Sequence, residues 1–188
     1  MVELFERALE AFAVGDALGM PTEFMTHEAI KSKFGLVEKL LDPSVSPIHP
    51  NLKKGQITDD TEQNLYLIET YYRSCSLPTH NTNIGASSGE RIRYFLKGMK
   101  ILKSTEEALS FIYNVVGTSM ESNEVVPASI AVFAYAREDV WLSLKMGASC
   151  GGDTDTIAAI AGLLSSILRR RAKHSTGDRF RGCKGEHS

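Results

Sequence analysis

The segment "IAAIAGLLSSILRRR", residues 157–171, constrains the fold of this chain more than any other stretch of its sequence. It is strongly apolar, and its arginines stand at the end where a helix dipole favours positive charge. The apolar part is shorter than the roughly 20 residues that a membrane-spanning helix needs. We therefore predict a helix over residues 157–171 that belongs to a helical domain.

Other segments repeat apolar residues at the spacing of a helix. No alternating apolar and polar run bounded by hairpin signals stands out, so no strand is predicted. The sequence thus predicts an all-α fold, a compact multi-helix bundle that forms a single domain over residues 1–171. The predicted helices are residues 5–14, 28–34, 62–73, 90–100, 105–116, 126–136, 140–146 and 157–171.

Glycine and proline mark the predicted helix ends and the loops between them. The glycines and the proline of residues 15–21 predict that the first helix ends in a tight loop. Pro127 is expected in the first turn of its helix, where proline is tolerated. Three prolines predict a long irregular loop over residues 40–56. Residues 172–188 are polar and lack periodicity, and we predict a disordered tail there.

Composition narrows the classes of protein to which the chain can belong. Its 188 residues are 43% hydrophobic and 23% charged, as in soluble globular proteins, and suffice for one core. The net charge of -2 gives no electrostatic reason to expect nucleic acid or a membrane surface as a partner. Three cysteines without metal-type spacing, and a first segment without a basic region, predict a cytoplasmic protein with reduced thiols.

Two clusters of carboxylates and hydroxyls precede predicted helices. In "GQITDDTEQN", residues 55–64, Asp59 and Asp60 are adjacent, and in "GASCGGDTDTIAAIAG", residues 147–162, Asp153 and Asp155 alternate with threonines. Each cluster alone is consistent with ordinary helix capping.

Taken together, the clusters would bring four carboxylates close to one another if the two helix starts face each other. Such charges would repel unless divalent cations neutralised them. The oxygen ligands suit Mg²⁺ or Mn²⁺ better than zinc, and two such ions would form a known catalytic arrangement. Gly151 and Gly152 would let the backbone approach this site closely.

A third stretch, "GDALGMPTEF" at residues 15–24, contributes two more carboxylates. Asp16 near a helix C-terminus is unfavourable for the dipole, so we expect a local partner such as the backbone amides of the turn. Glu23 taken alone would be an ordinary surface glutamate.

These stretches, in this order, resemble the ADP-ribosylglycohydrolase family. The matching pieces are "AVGDALGMPTEF", "QITDDTEQNLYLIE", "VVPASIAVF" and "GGDTDTIAAIAGLL". The resemblance implies an all-α fold and a centre of two Mg²⁺ or Mn²⁺ ions. It implies that Glu23 lies close to the metals and the substrate ribose, and that Gly85 and Ser87 lie near the substrate diphosphate. The general base towards water would be Glu23 or an aspartate not fully bound to metal, and we prefer Glu23 because the other candidates are metal ligands. The implied metal ligands are Thr58, Asp59, Asp60, Asp153, Asp155 and Thr156.

The implied activity is hydrolysis of the bond between ADP-ribose and an acceptor, either a protein side chain such as arginine or a small conjugate. The partner would be an ADP-ribosylated protein or conjugate, and the chain a monomer or a dimer. The family's middle segment, which helps to hold adenosine, is not found in this sequence. One alternative is therefore a shortened, inactive relative that binds metal, with or without ADP-ribose. Two others are a structural protein and nucleic-acid binding through residues 169–181.

Overall fold

The structure is a computed structural model that describes residues 2–74 and 88–175. Within these ranges the chain forms helices and no strand. The all-α prediction is therefore confirmed. No helix of the described part is both long and apolar enough to cross a membrane. The helices are α1 Val2–Gly19, α2 His27–Phe34, α3 Asp59–Ser74, α4 Ser88–Gly98, α5 Thr105–Phe111, α6 Ser122–Ala136, α7 Val140–Gly147 and α8 Thr154–Ser175.

Helix α8 is the centre of the bundle. It packs along α1 and also contacts α6 and α7. Ile157, Ala158, Ala159 and Ala161 are completely buried, so α8 is covered on several sides at its N-terminal half. A helix surrounded in this way must be apolar around its circumference, which explains the composition that the sequence shows.

Two apolar cores lie on different sides of α8. In the larger one, Ile157 and Ala161 pack with Phe95 of α4, Ile112 after α5, and Val132 of α6. In the smaller one, Ala158 packs with residues of α1, α2 and α7, and its buried members are Leu18, Met25, Ile30, Val37, Leu144, Ala148 and Ala158. Both cores meet at the start of α8, which holds this end of the helix rigidly.

Helix α1 does not end at Val14, as the sequence predicted, but continues to Gly19. The reason is close packing against α8. A Cβ atom on Gly15 would lie 2.5 Å from the backbone of Ala158, and one on Gly19 would lie 2.4 Å from the Cα of Asp155. These glycines therefore allow two helix backbones to approach each other and do not terminate α1. Pro21 follows in a short 3₁₀ turn, Met20–Thr22.

Two further boundaries differ from the prediction. Helix α6 begins at Ser122, so Pro127 lies inside the helix and not in its first turn. Helix α8 continues to Ser175, four residues beyond the predicted end, because Ala172 and Lys173 are good helix formers. The remainder of the predicted tail, residues 176–188, lies outside the described residues.

The glycine contact yields a prediction about stability. Gly15→Ala should lower the free energy of unfolding by about 1–3 kcal/mol, because the new methyl group would overlap the Ala158 backbone. Alanine would otherwise favour the helix by about 1 kcal/mol relative to glycine. Urea denaturation followed by circular dichroism would measure the difference.

Gly35→Ala provides the matched control. Gly35 has a φ of 66° but open space around the position of its Cβ, so the same substitution should cost only the backbone strain. If Gly15→Ala left the protein as stable as the wild type, the contact between α1 and α8 would be looser than described.

Candidate functional site

Acidic residues from three segments meet at the starts of α3 and α8. Asp59 and Asp60 are the first residues of α3, and Asp153 and Asp155 flank the first residue of α8. Glu23 follows the 3₁₀ turn that ends α1. Because helix starts carry free backbone amides and positive dipole ends, carboxylates are favoured there. A hydrogen bond from Thr156 to Asp60 shows that the two helix starts face each other, which was the condition set in the sequence analysis.

The tightest part of this cluster is formed by Glu23, Asp153 and Asp155. One carboxylate oxygen from each of them lies within 4.8 Å of the others, and all three residues are buried. Oxygens at this spacing can share one ion. Glu23, which taken alone would be an ordinary surface glutamate and which the family resemblance places close to the metals, belongs to this buried group.

The remaining predicted ligands surround this group and differ in their solvent exposure. Thr58 Oγ1 donates to Asp155 Oδ2 at 3.5 Å, and Thr156 Oγ1 donates to Asp60 Oδ2 at 2.6 Å. These two hydrogen bonds join the first cluster to the second. Asp59 is exposed, and its Oδ2 accepts a hydrogen bond of 2.8 Å from the side chain of Gln63.

The predicted diphosphate-binding residues, Gly85 and Ser87, lie outside the described residues. Their assignment stays a prediction.

Asp16 is completely buried and holds the start of α3 in place. Its carboxylate accepts from the backbone N–H of Thr58 at 3.0 Å, from the N–H of Thr61 at 3.2 Å, and from the Thr61 hydroxyl. The expected partner, a local turn, was wrong, because α1 continues through Asp16 and offers no free amide there. The free amides come instead from α3, more than 40 residues along the chain.

Hydroxyl groups join the turn that carries Glu23 to the start of α8. Thr22 Oγ1 donates to the carbonyl of Ala148 at 2.8 Å and contacts Thr154 Oγ1 at 3.2 Å. Thr154 Oγ1 in turn donates to the carbonyl of Gly19 at 3.0 Å. All these groups are buried, so the position of Glu23 is coupled to that of Asp155 through satisfied hydrogen bonds.

The backbone around Gly152 places Asp153. The N–H of Asp153 donates to the carbonyl of Thr118 at 2.8 Å, and the N–H of Phe24 donates to the carbonyl of Gly152 at 2.8 Å. Gly152 has a φ of 75°, and a Cβ there would lie 2.1 Å from the Thr118 oxygen. Only glycine therefore fits at this junction, in agreement with the close approach that the sequence predicted.

An ion pair holds the loop that contains Thr118. Arg91 of α4 donates to the carbonyl of Val116 and pairs with Glu124 of α6 at 3.2 Å. Glu124 also accepts from the N–H of Ser119 at 3.1 Å. Partial burial by itself would raise the pKa of Glu124. The hydrogen bonds from Ser119 and the charge of Arg91 outweigh burial, and the pKa is lowered. The two side chains hold both sides of the loop that contacts Asp153.

His49 is a further neighbour of the site that sequence reasoning missed. Its Nε2 lies 3.0 Å from Glu23 Oε2. The residue belongs to the proline-rich loop, where no periodic pattern indicates what a side chain contacts. The Arg91–Glu124 pair was also missed. The two residues are 33 positions apart, and their pairing depends on how α4 and α6 pack.

The electrostatics of the cluster favour a bound cation. Burial raises the pKa of Asp155 to about 10, and the nearby Glu23 carboxylate adds to the shift. Burial likewise raises the pKa values of Glu23 and Asp153 and brings the pKa of Asp60 to about 6. Closely spaced buried carboxylates resist ionisation until positive charge is supplied. The donor set consists of carboxylate and hydroxyl oxygens, which fits a hard cation such as Mg²⁺ or Mn²⁺.

A cavity of about 780 Å³ opens beside the cluster, and Gly152 and Asp153 form part of its wall. Its volume is within the usual range for small-molecule pockets. The aromatic residues Phe24 and Tyr113 and the Arg91–Glu124 pair also line it. The acidic cluster is therefore accessible to a ligand from this side.

The hydrogen bonds of Asp16 predict a stability effect of replacing it. Asp16→Ala should lower the free energy of unfolding by about 2–4 kcal/mol, because the buried amides of Thr58, just before α3, and of Thr61 would lose their acceptor. Asp16→Asn, which keeps one acceptor oxygen, should cost less. Asp42→Ala is the control, since the exposed Asp42 accepts a comparable backbone hydrogen bond from Ser44, and a much smaller loss is expected. Equal losses for Asp16→Ala and Asp42→Ala would contradict this role.

Raised carboxyl pKa values predict how pH and metal affect stability. A carboxylate whose pKa is higher in the fold than in the unfolded chain stabilises the fold at low pH, and this contribution is lost as pH rises. As pH rises from about 5 to about 8, the melting temperature of the metal-free wild type should therefore fall relative to that of the double variant Asp153→Asn, Asp155→Asn.

Saturating Mg²⁺ or Mn²⁺ should raise the melting temperature of the wild type at the higher pH and leave that of the double variant unchanged. Differential scanning fluorimetry at each pH, with and without metal, would measure both effects. A metal-induced rise of the same size in the double variant would show that the ion binds elsewhere.

Comparison with known proteins gives partial matches to longer chains. The chain is 35% identical over 113 residues to an uncharacterized protein of Archaeoglobus fulgidus. This match covers 53% of this chain and 36% of the relative. It is 36% identical over 87 residues to the uncharacterized protein YegU of Escherichia coli, covering 46% of this chain and 26% of the relative. It is 48% identical over 65 residues to the ADP-ribosyl-[dinitrogen reductase] glycohydrolase of Rhodospirillum rubrum, covering 33% of this chain and 21% of the relative. The matched part thus spans about a third or less of each relative.

The family comparison covers nearly all of the described chain. The model of the ADP-ribosylglycohydrolase family matches residues 2–110 and, in a second segment, residues 81–169. The two segments include Glu23, both carboxylate clusters and the walls of the cavity. The chain belongs to the ADP-ribosylglycohydrolase family.

Proposed function

We propose that the chain is a metal-dependent hydrolase that cleaves the glycosidic bond between ADP-ribose and an acceptor. The observation that carries this proposal is the buried group of Glu23, Asp153 and Asp155, whose oxygens lie within 4.8 Å of one another beside a cavity. Membership of the family and the glycohydrolase name of the Rhodospirillum rubrum relative support the same activity.

The donor set favours two Mg²⁺ or Mn²⁺ ions as cofactors. Asp155 and Thr58 form a hydrogen bond with each other, as do Asp60 and Thr156. Candidate ligands from the starts of α3 and α8 are therefore in contact. Asp153 and the more exposed Asp59 would complete the set. When bound, the ions would supply Lewis-acid assistance and positive charge at the ribose hydroxyls.

Glu23 is our candidate for the general base. In the hydrolysis, the bond between ribose C1″ and the acceptor atom breaks, and a bond forms between C1″ and a water oxygen. One proton of that water passes to the Glu23 carboxylate, which then gives this proton to the departing acceptor atom and returns to its starting state. Positive charge that develops on the ribose would be stabilised by the surrounding carboxylates.

His49 would orient the Glu23 carboxylate. The contact of His49 Nε2 with Oε2 restrains the carboxyl group, which also has a hydrogen bond with Asp155. In this arrangement the buried position of Glu23 raises its pKa and makes it a stronger base than an exposed glutamate.

The partner proposed for this site is an ADP-ribosylated protein or a small ADP-ribose conjugate. We propose that the chain acts in the cytoplasm as a monomer or a dimer, without a nucleic-acid or membrane partner. The buried free thiol of Cys150 fits a reducing compartment.

The second candidate function is a binding protein that holds metal and ADP-ribose without turnover. One observation favours it: the matched segments span only 21–36% of the length of the relatives, so most of each relative's length has no matched counterpart in this chain. Such a protein would keep the acidic cluster and bind ADP-ribose in the presence of metal.

A direct assay separates the two candidates. The protein is incubated with an ADP-ribosylated peptide, with Mg²⁺ or with a chelator, and free ADP-ribose is measured by chromatography. We expect metal-dependent release from the wild type. Removing two candidate metal ligands in the double variant Asp153→Asn, Asp155→Asn should lower the rate at least about 100-fold.

The role of Glu23 has its own test. Glu23→Gln should lower kcat about 100-fold or more, because general-base catalysis contributes that much, while the melting temperature stays close to that of the wild type. Full turnover by Glu23→Gln would exclude its role as base. Binding of ADP-ribose by isothermal titration calorimetry, without release from any conjugate, would favour the binding protein instead.

A further inference from the structure

The Arg91–Glu124 pair lies in the wall of the cavity, where a guanidinium group is a common binding partner for a phosphate. Its contacts indicate a different role. Arg91 Nη1 donates to the carbonyl of Val116, and Nη2 lies 3.2 Å from Glu124 Oε1. The two side chains are 22% and 27% exposed, so a phosphate would have to draw the guanidinium out of a partly buried pair. The pair is therefore directed toward the protein.

Gly117 is the point at which the pair and the loop of residues 116–119 touch. It has a φ of 90°, and a Cβ there would lie 2.6 Å from Arg91 Nη1 and 2.6 Å from Glu124 Oε2. Before Gly117, Arg91 binds the carbonyl of the preceding residue. After it, Glu124 accepts from the N–H of Ser119 at 3.1 Å. The ion pair thus fixes the backbone of this loop on both sides of Gly117.

The same loop contacts the acidic cluster through Thr118. This residue is 4% exposed, and its carbonyl accepts from the N–H of Asp153 at 2.8 Å. The neighbouring Gly152 leaves no free space, because a Cβ there would lie 2.1 Å from the same oxygen. Asp153 shares with Glu23 and Asp155 a group of oxygens within 4.8 Å of one another. A shift of the Thr118 carbonyl would therefore move one member of this group relative to the others.

Metal affinity depends on groups that hold the ligands without touching the ion. Loss of such an outer partner typically costs about 10–100-fold in metal affinity. Arg91 comes from α4 and Glu124 from α6, and these two helices pack against each other in the larger core. The pair thus connects the position of Asp153 to the packing of two rigid helices.

We propose that Arg91 and Glu124 are positioning residues for metal binding, which act on Asp153 through Gly117 and Thr118 and do not bind the substrate. The inference rests on the proposed function, because it takes Asp153 as a metal ligand. It assigns the guanidinium group in the cavity wall to the metal centre and not to the diphosphate of ADP-ribose.

The test measures Mn²⁺ binding to the full chain in the absence of any substrate, from the electron paramagnetic resonance signal of free Mn²⁺. Arg91→Gln should raise the Kd for Mn²⁺ about tenfold, because the loop loses its charged donor. Glu124→Gln should raise it less, since the amide oxygen can still accept from the N–H of Ser119. A purely structural role would lower the melting temperature of these variants and leave the Kd of the folded protein unchanged.

Matched controls come from the same elements of the fold. Arg93→Gln makes the same change on α4 at a side chain that is 71% exposed and does not line the cavity. Gly117→Ala should weaken Mn²⁺ binding at least as much as Arg91→Gln, because the methyl group would separate the pair from the loop. Gly35→Ala also places alanine at a positive φ, but in open space. Arg93→Gln and Gly35→Ala should therefore keep the wild-type Kd.

A second titration separates positioning from substrate binding. With Mn²⁺ in saturating excess, isothermal titration calorimetry should give Arg91→Gln an affinity for ADP-ribose close to that of the wild type. An unchanged Kd for Mn²⁺ together with a large loss of ADP-ribose affinity would show that Arg91 binds the substrate, and would overturn the inference.

The outcomes distinguish this inference from the proposal on which it rests. If Arg91→Gln and Gly117→Ala both bind Mn²⁺ as tightly as the wild type, the positioning role is wrong and the hydrolase proposal stands. If the wild type binds no Mn²⁺ and releases no ADP-ribose from a conjugate, the hydrolase proposal is wrong and this inference fails with it.

Discussion

The close contact between α1 and α8 is the interaction on which the rest of the structure depends. Gly15 and Gly19 let the two backbones approach to a distance at which no Cβ fits. This approach fixes the turn after α1, and with it Glu23, against the first turn of α8. It also directs Asp16 toward α3, whose start it holds through backbone amides. A slightly wider spacing would separate the carboxylates that form the site.

The acidic cluster reduces the stability that this packing provides. Buried carboxylates at close spacing repel one another and raise their own pKa values, so the metal-free protein is strained at this point. The two apolar cores that meet at the start of α8 keep the helix starts together against this repulsion. A fold that maintains such a cluster is preorganised for cations, and their binding should relieve the strain.

The surroundings of the cluster determine what the site can accept. The ion pair of Arg91 with Glu124 lines the cavity and holds the loop that contacts Asp153. Phe24, which also lines the cavity, has a φ of 60°. These features place carboxylates and an aromatic ring in the cavity that Asp153 lines.

The sequence by itself determined the all-α class, most of the helices, and the two acidic clusters, because apolar periodicity and helix-start chemistry are local properties. It also indicated the family, since the matching motifs are contiguous. Only the tertiary structure decided that Gly15 continues a helix, that Asp16 holds α3, and that Glu23 is buried next to Asp153 and Asp155. His49 and the Arg91–Glu124 pair likewise needed the fold. Each of these depends on contacts between segments far apart in the chain, and only the packing of the helices brings those segments together.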